Sequence, residues 1–169
     1  MRADDTDALD VALKRHWVLV VDYIKRLTPS TDAAEDVAQR AFCQLWDRRG
    51  HWLAEGSMRA LLCRIARNYA ISEHRRESAD ERSAATFVEL TEPGSVVRDS
   101  LEAEQLRYVL DREIAQLPAR RREIVVLRCV HDLSYKEIAE VMNIAPQTVA
   151  NQLSSALATL RGSLRELLD

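Results

Sequence analysis

The chain has 169 residues, 47% hydrophobic and 30% charged, and its 24 Lys and Arg against 27 Asp and Glu give a formal charge of −3. That length holds one ordinary domain or two small ones. Only four Gly and four Pro argue against a sandwich or barrel, which needs a turn roughly every ten residues. Ala, Leu, Arg and Glu dominate, all good helix formers, so the expected fold class is all-α. No apolar run approaches the ~18 residues of a membrane span. The acidic start MRADDTDALD lacks the basic and apolar parts of a secretory signal, and a cytoplasmic protein without membrane insertion is expected. Cys43, Cys63 and Cys129 are odd in number and lie far apart, which reads as three small core side chains rather than a disulfide framework. His16, His51, His74 and His131 show no metal-ligand spacing. No catalytic cluster, metal or cofactor is expected.

In chain order, Leu9, Leu13, Trp17, Val20, Val21, Ile24 and Leu27 recur near a helical period, predicting a helix over 8–27 that ends at Thr28-Pro29-Ser30. Asp32 with Glu35 three residues on reads as an N-cap and capping box. It opens a helix to about Arg48 that buries Val37, Ala41, Phe42, Leu45 and Trp46. Residues 49–56 read as a loop. Ser57 caps a third helix to about Arg76, with Leu61, Leu62, Ile65, Tyr69 and Ala70 inside. Three helices with short connections make a small bundle.

From 77 to 100 the period fails, and across 78–106 seven acidic residues face only Arg82 and Arg98. A stretch of over ~20 structureless residues rarely sits inside a compact domain, so this segment reads as a flexible linker, with Phe87, Val88 and Leu90 docking weakly. Helical pattern resumes from Leu101 to Gln116, and a second helix covers 119–130. Ser134-Tyr135-Lys136-Glu137 is a capping box opening a short helix through Val141. Asn143 suits the left-handed turn that follows. Pro146 fits the first turn of a last helix, whose seam is Val149, Leu153, Leu157, Leu160, Leu164 and Leu167.

A capped short helix, a tight turn and a longer helix form the spacing of a helix-turn-helix. Ile138 and Ala139 then face inward, Ile144 plugs the corner, and Gln147, Thr148, Ala150, Asn151, Ser154 and Ser155 lie outward. Gln and Asn read adenine edges and Thr holds phosphate; an ordinary helical hairpin wetted on its polar face is the alternative. Positive charge is grouped twice: Arg59, Arg64, Arg67, Arg75 and Arg76 with His74, and Arg120, Arg121, Arg122 and Arg128. Each Arg set on duplex phosphate adds about −0.9 to the salt slope. A solvated basic face is the alternative for either cluster alone, and the two together favour nucleic acid.

These residues also carry a resemblance. Residues 32–46, DAAEDVAQRAFCQLW, resemble the AEDLVQETFLRAW helix of the extracytoplasmic-function sigma factors, the smallest class of bacterial sigma subunits. Residues 59–71, RALLCRIARNYAI, resemble that family's RAWLYRIARNLAID helix. Residues 117–128, LPARRREIVVLR, and 133–144, LSYKEIAEVMNI, are similar to its LPPRQREVFLLR and LSYEEIAEILGI. The motifs follow in order in both halves of the chain, with the linker between.

The resemblance implies two small helical domains: residues 1–76 binding core RNA polymerase and the promoter's minus-ten element, and residues 101–169 binding the minus-thirty-five element by a helix-turn-helix. Glu35, Asp36 and Gln39 match the polymerase-facing positions; acids that favour the helix dipole are the alternative there. Arg59, Arg64, Arg67 and Asn68 match the minus-ten helix, with Asn68 reading an unstacked base. Where the family often has aromatics around this helix, the chain has Met58, Leu61 and Cys63, so some melting power is either missing or supplied by Trp52 in the loop. Arg120, Arg121, Arg128, Gln147, Thr148, Asn151, Gln152 and Ser155 are the minus-thirty-five residues. Ala150, Gln152, Ser155, Ala158 and Thr159 stand at positions that are basic or commonly basic in the family, so free binding to that element is expected to be weak. The implied function is promoter-specific transcription initiation without a catalytic site. The implied partners are core RNA polymerase, promoter DNA and an anti-sigma factor. A polymerase-binding or anti-sigma-binding decoy that initiates poorly and a DNA-binding regulator with a ligand-sensing first domain are the competing classes, with a helical enzyme the remotest.

Overall fold

The computed structural model describes residues 3–28, 30–48, 56–80 and 101–168. They form seven α-helices: α1 Ala3–Lys25, α2 Thr31–Asp47, α3 Met58–Asp80, α4 Leu101–Gln116, α5 Ala119–Val125, α6 Tyr135–Met142 and α7 Pro146–Leu168. No strand occurs among the described residues, as the composition requires. Trp52 and the sequence segments 49–55 and 81–100, with Phe87, Val88 and Leu90, lie outside the described residues. The chain divides into two compact units, one containing α1–α3 and the other α4, α5 and α7.

In the first unit, α1, α2 and α3 each pack against the other two. The centre is Val20, Tyr23 and Ile24 of α1, Ala34, Val37, Ala38, Ala41 and Phe42 of α2, and Ala60, Leu62, Cys63, Ala66 and Ala70 of α3, all buried. Small residues on α2 and α3 let the helices approach closely, and Tyr23, only 1% exposed, fills the space they leave. The end of α1 is closed locally. The Leu27 and Thr28 amides donate to the Ile24 carbonyl at 2.8 and 3.0 Å, and the buried Thr28 hydroxyl donates to the same oxygen at 3.1 Å. That satisfies carbonyl and hydroxyl groups at a helix end that would otherwise be unpaired.

Two local expectations change. Ser30, not Asp32, caps α2: it is extended (φ −138°, ψ 156°), and its hydroxyl accepts from the Ala33 amide at 3.1 Å. Asp32 sits inside the first turn, where its charge favours the dipole, and Glu35 is exposed rather than closing a capping box. Ser57 does cap α3, accepting from the Ala60 amide at 3.4 Å. That helix continues past Arg76 to Asp80, because Glu77-Ser-Ala-Asp contains no Pro or Gly to stop it.

In the second unit α5 packs against α7, and α4 touches both. Ile114, Leu117, Ile124, Val125, Leu127, Val149, Leu153, Ala156 and Leu160 are buried. Leu157 and Leu164 are only half-buried, so the small Ala156, not named by the leucine seam, takes the inner position. Residues 119–130 are not one regular helix. Val126–Val130 form a π-helical turn, in which the His131 amide donates to the Val126 carbonyl at 3.2 Å. Cys43 and Cys129 are exposed and only Cys63 is buried, which corrects the expectation of three core cysteines. Cys43 lies about half a turn round α2 from the buried residues of that helix, and Cys129 lies in the π-helical turn.

Candidate polymerase and promoter surfaces

Several residues that periodicity assigns to the core of the first unit instead line two clefts. Leu9, Leu13 and Trp17 of α1 face Glu35, Asp36, Gln39, Phe42, Cys43, Trp46 and Asp47 of α2 across a cleft of about 630 Å³. The Trp17 and Phe42 rings are 5.8 Å apart and tilted by 35°, inside the range for a favourable aromatic contact. All three residues assigned to polymerase binding are exposed, at a cleft with an aromatic floor and an acidic rim. Such a surface is complementary to an apolar segment flanked by basic residues.

A second cleft, about 570 Å³, is lined by Gln44, Leu45 and Arg48 of α2 and its end and by Leu61, Arg64, Ile65, Asn68, Tyr69 and Ser72 of α3. Arg64 and Asn68 are therefore brought together, one turn apart and both exposed. Arg59 and Arg67 are half-buried and do not line it. Arg40 of α2 makes an ion pair with Glu73 of α3, tying the two walls together. Sequence reasoning missed Gln44, Arg48, Tyr69 and Ser72 here. The signal was present: Leu61, Ile65, Asn68 and Ser72 form a second stripe beside the buried Leu62, Cys63, Ala66 and Ala70, wider than a three-helix bundle covers.

The helix-turn-helix is set by local hydrogen bonds. Ser134 and Glu137 form the predicted box: the Glu137 amide donates to the Ser134 hydroxyl at 3.2 Å, and the Ser134 amide to the Glu137 carboxylate at 2.8 Å. Asn143 has φ 53°, and the Ile144 amide donates back to the Ala139 carbonyl at 3.1 Å, the six-to-one bond of a Schellman turn. α7 begins at Pro146, where a missing amide costs nothing. Gln147, Thr148 and Asn151 are exposed, whereas Gln152 and Ser155 are half-buried.

The second arginine cluster is largely engaged within the unit. Arg121 Nε donates to Gln152 Oε1 at 3.3 Å, joining α5 to α7. Arg122 donates to the Leu117 carbonyl at 3.1 Å, and burial lowers its pKa. Arg128 donates to Asp132 at 2.7 Å and to the Leu133 carbonyl at 3.2 Å, and lies 6.0 Å from the centre of the Tyr135 ring. It thus clamps the turn between the π-helical segment and α6, where Asp132 adopts φ 51°. Arg120 is exposed.

Among the described residues no group of His, Cys, Asp and Glu is arranged to hold a metal ion, and no helix is long and apolar enough to cross a membrane. Two modules in this order define a class of protein. The sigma-70 region 2 family matches residues 13–79, and the sigma-70 region 4 family matches residues 107–160. The chain is 26% identical over 151 residues to the extracytoplasmic-function (ECF) RNA polymerase sigma factor SigW of Bacillus subtilis, covering 84% of this chain and 81% of that one. It is also 26% identical to the ECF RNA polymerase sigma-E factor of Escherichia coli, covering 97% of this chain and 90% of the relative. Two solved structures share the fold. One is CnrH in complex with the cytosolic domain of CnrY (TM-score 0.66, 20% identity, 95% of this chain and 90% of that one). The other is RpoE in complex with the anti-sigma factor NepR from Bartonella quintana (TM-score 0.70, 23% identity, 97% and 98%). The chain belongs to the extracytoplasmic-function sigma factors.

Proposed function

We propose that this chain binds core RNA polymerase through the α1–α2 cleft, directs it to a promoter, and helps open the minus-ten region, while the polymerase performs the chemistry in the cytoplasm. The observation that carries the reading is the division of labour around α2. Glu35, Asp36 and Gln39 meet the aromatic floor in one cleft, and Arg64 and Asn68 stand in another. The first suits a basic protein segment. The second offers a cation for phosphate and an amide for an unstacked base. Residues 1–76 form the polymerase and minus-ten module, residues 101–169 the minus-thirty-five module, and 77–100 the linker. In the latter module Arg120, Gln147, Thr148 and Asn151 face DNA, with Arg121, Arg128, Gln152 and Ser155 supporting them.

An anti-sigma factor is the proposed regulator. Leu106 and Leu110 of α4, one turn apart on the same face, are 60% and 38% exposed, an apolar pair that fits a protein partner better than water. Two proteins of the same fold are captured with protein partners, CnrH with the cytosolic domain of CnrY and RpoE with the anti-sigma factor NepR.

Run-off transcription with core polymerase on a promoter library tests the reading. Specific transcripts that vanish with Asn68→Ala support it. Tight polymerase binding without transcripts would mark a decoy, and absence of polymerase binding would overturn the proposal altogether.

A further inference from the structure

The first four turns of α7, from Pro146 to Leu160, present an outward face without charge. No charged residue falls between Glu140 and Arg161, so this face has no arginine with which to grip guanine. It has instead Gln147 and Asn151, one turn apart and exposed, with Gln147 Nε2 donating to Asn151 Oδ1 at 3.1 Å. Resting on the promoter-reading role of α7, we propose that Gln147 and Asn151 act as a single unit that reads one adenine of the minus-thirty-five element in the major groove.

The argument is one of donors and acceptors. Each amide has one carbonyl oxygen and one NH₂ group. Joining the two side chains uses a hydrogen of one and an oxygen of the other. Whichever amide donates, the pair retains a carbonyl oxygen on one residue and NH₂ hydrogens for the base. Adenine matches that set, with its N6 amino group as donor beside N7 as acceptor. Guanine presents two acceptors and leaves the carbonyl unmatched, thymine an acceptor and a methyl group, and cytosine only a donor. The mutual bond also holds both long side chains in one geometry before DNA arrives, reducing the rotamer entropy lost on binding. Gln152 is excluded from the unit because its oxygen already accepts from Arg121 on α5.

The test uses holoenzyme assembled from the full chain and core polymerase, transcribing a promoter library randomised across the minus-thirty-five element. The wild type should enrich adenine at one position. Gln147→Ala and Asn151→Ala should each abolish that preference at the same position, and the double variant should lose no more than either alone. Placing 7-deazaadenine there, which removes N7 and leaves the protein unchanged, should lower transcription by roughly two- to tenfold, the range of one hydrogen bond of the contact. Loss at two different positions, additive losses, unchanged preferences in both variants, or full activity with 7-deazaadenine would overturn the proposal. A wild type that discriminates at the minus-ten element but nowhere across the minus-thirty-five element would overturn the role of α7 itself, and the adenine unit with it.

Discussion

The two units solve the problem of holding a partner in different physical currencies. The α1–α3 unit leaves apolar and aromatic side chains uncovered in clefts and rims them with charge: Glu35, Asp36 and Asp47 in one, Arg48 and Arg64 in the other. The helix-turn-helix unit turns three of the four arginines of its second cluster inward, onto Gln152, the Leu117 carbonyl and the Asp132 turn, and presents an uncharged amide face at the start of α7. On the proposed reading, the first surface would work by desolvation and long-range attraction, the second by hydrogen-bond direction. Charge near a helix proposed to bind DNA therefore does not by itself identify the groups that would touch it; Arg121 and Arg128 are bonded within the unit.

The contrast can be broken first at the core. Leu62 is fully buried between the helices that form the clefts, and Leu62→Ala should destabilise the protein by about 2–5 kcal/mol, measured by urea denaturation, with polymerase binding lost in parallel. At the acidic rim, Asp36→Ala should weaken core polymerase binding about tenfold or more if it is a central contact, and Asp36→Asn nearly as much. Unchanged affinity in both would place the partner elsewhere. In the other unit Ser134→Ala removes the cap that accepts from the Glu137 amide, and should cost about 1 kcal/mol in thermal denaturation, with transcription falling only as the unit unfolds.

Salt separates the two modes more finely. Arg120→Ala should reduce the salt slope of duplex promoter binding by about 0.9, whereas Gln147→Ala should leave the slope unchanged while relaxing sequence preference. The smallest effect concerns His16, whose pKa is lowered by burial first and then by Arg15 and Arg59. A folded pKa below the ordinary 6.5 means the unfolded chain binds the proton more readily. Its contribution to stability is then present above 6.5 and lost as pH falls toward the folded value. His16→Gln should flatten the stability profile slightly below pH 6.5, read by denaturation midpoints at a series of pH values.

Much of this protein was legible without coordinates because its decisive signals are local. The Ser134–Glu137 box, the left-handed Asn143, Pro146 at the start of α7 and the Ser57 cap all span four residues or fewer, and backbone sterics with one or two hydrogen bonds settle them. The motif order that carries the family resemblance is likewise written in the chain. At α2 the same reasoning chose Asp32 over Ser30, because both are good caps and only the backbone angles decide between them. The π-helical turn at Val126–Val130 leaves no mark in the sequence, since its residues are as compatible with an ordinary helix.

What the sequence determined by itself is which side of each helix is apolar and roughly where most helices start and stop. Only the tertiary structure decided how much of each apolar side its neighbours cover. Leu9, Leu13, Trp17 and Trp46, and likewise Leu61, Ile65 and Tyr69, have the spacing of core residues yet line clefts, because three helices enclose a narrow centre that Tyr23, Leu62 and a set of alanines already fill. The Arg121–Gln152 bond spans thirty-one residues, beyond any local rule. Period fixes direction along one helix; burial depends on what the other helices bring.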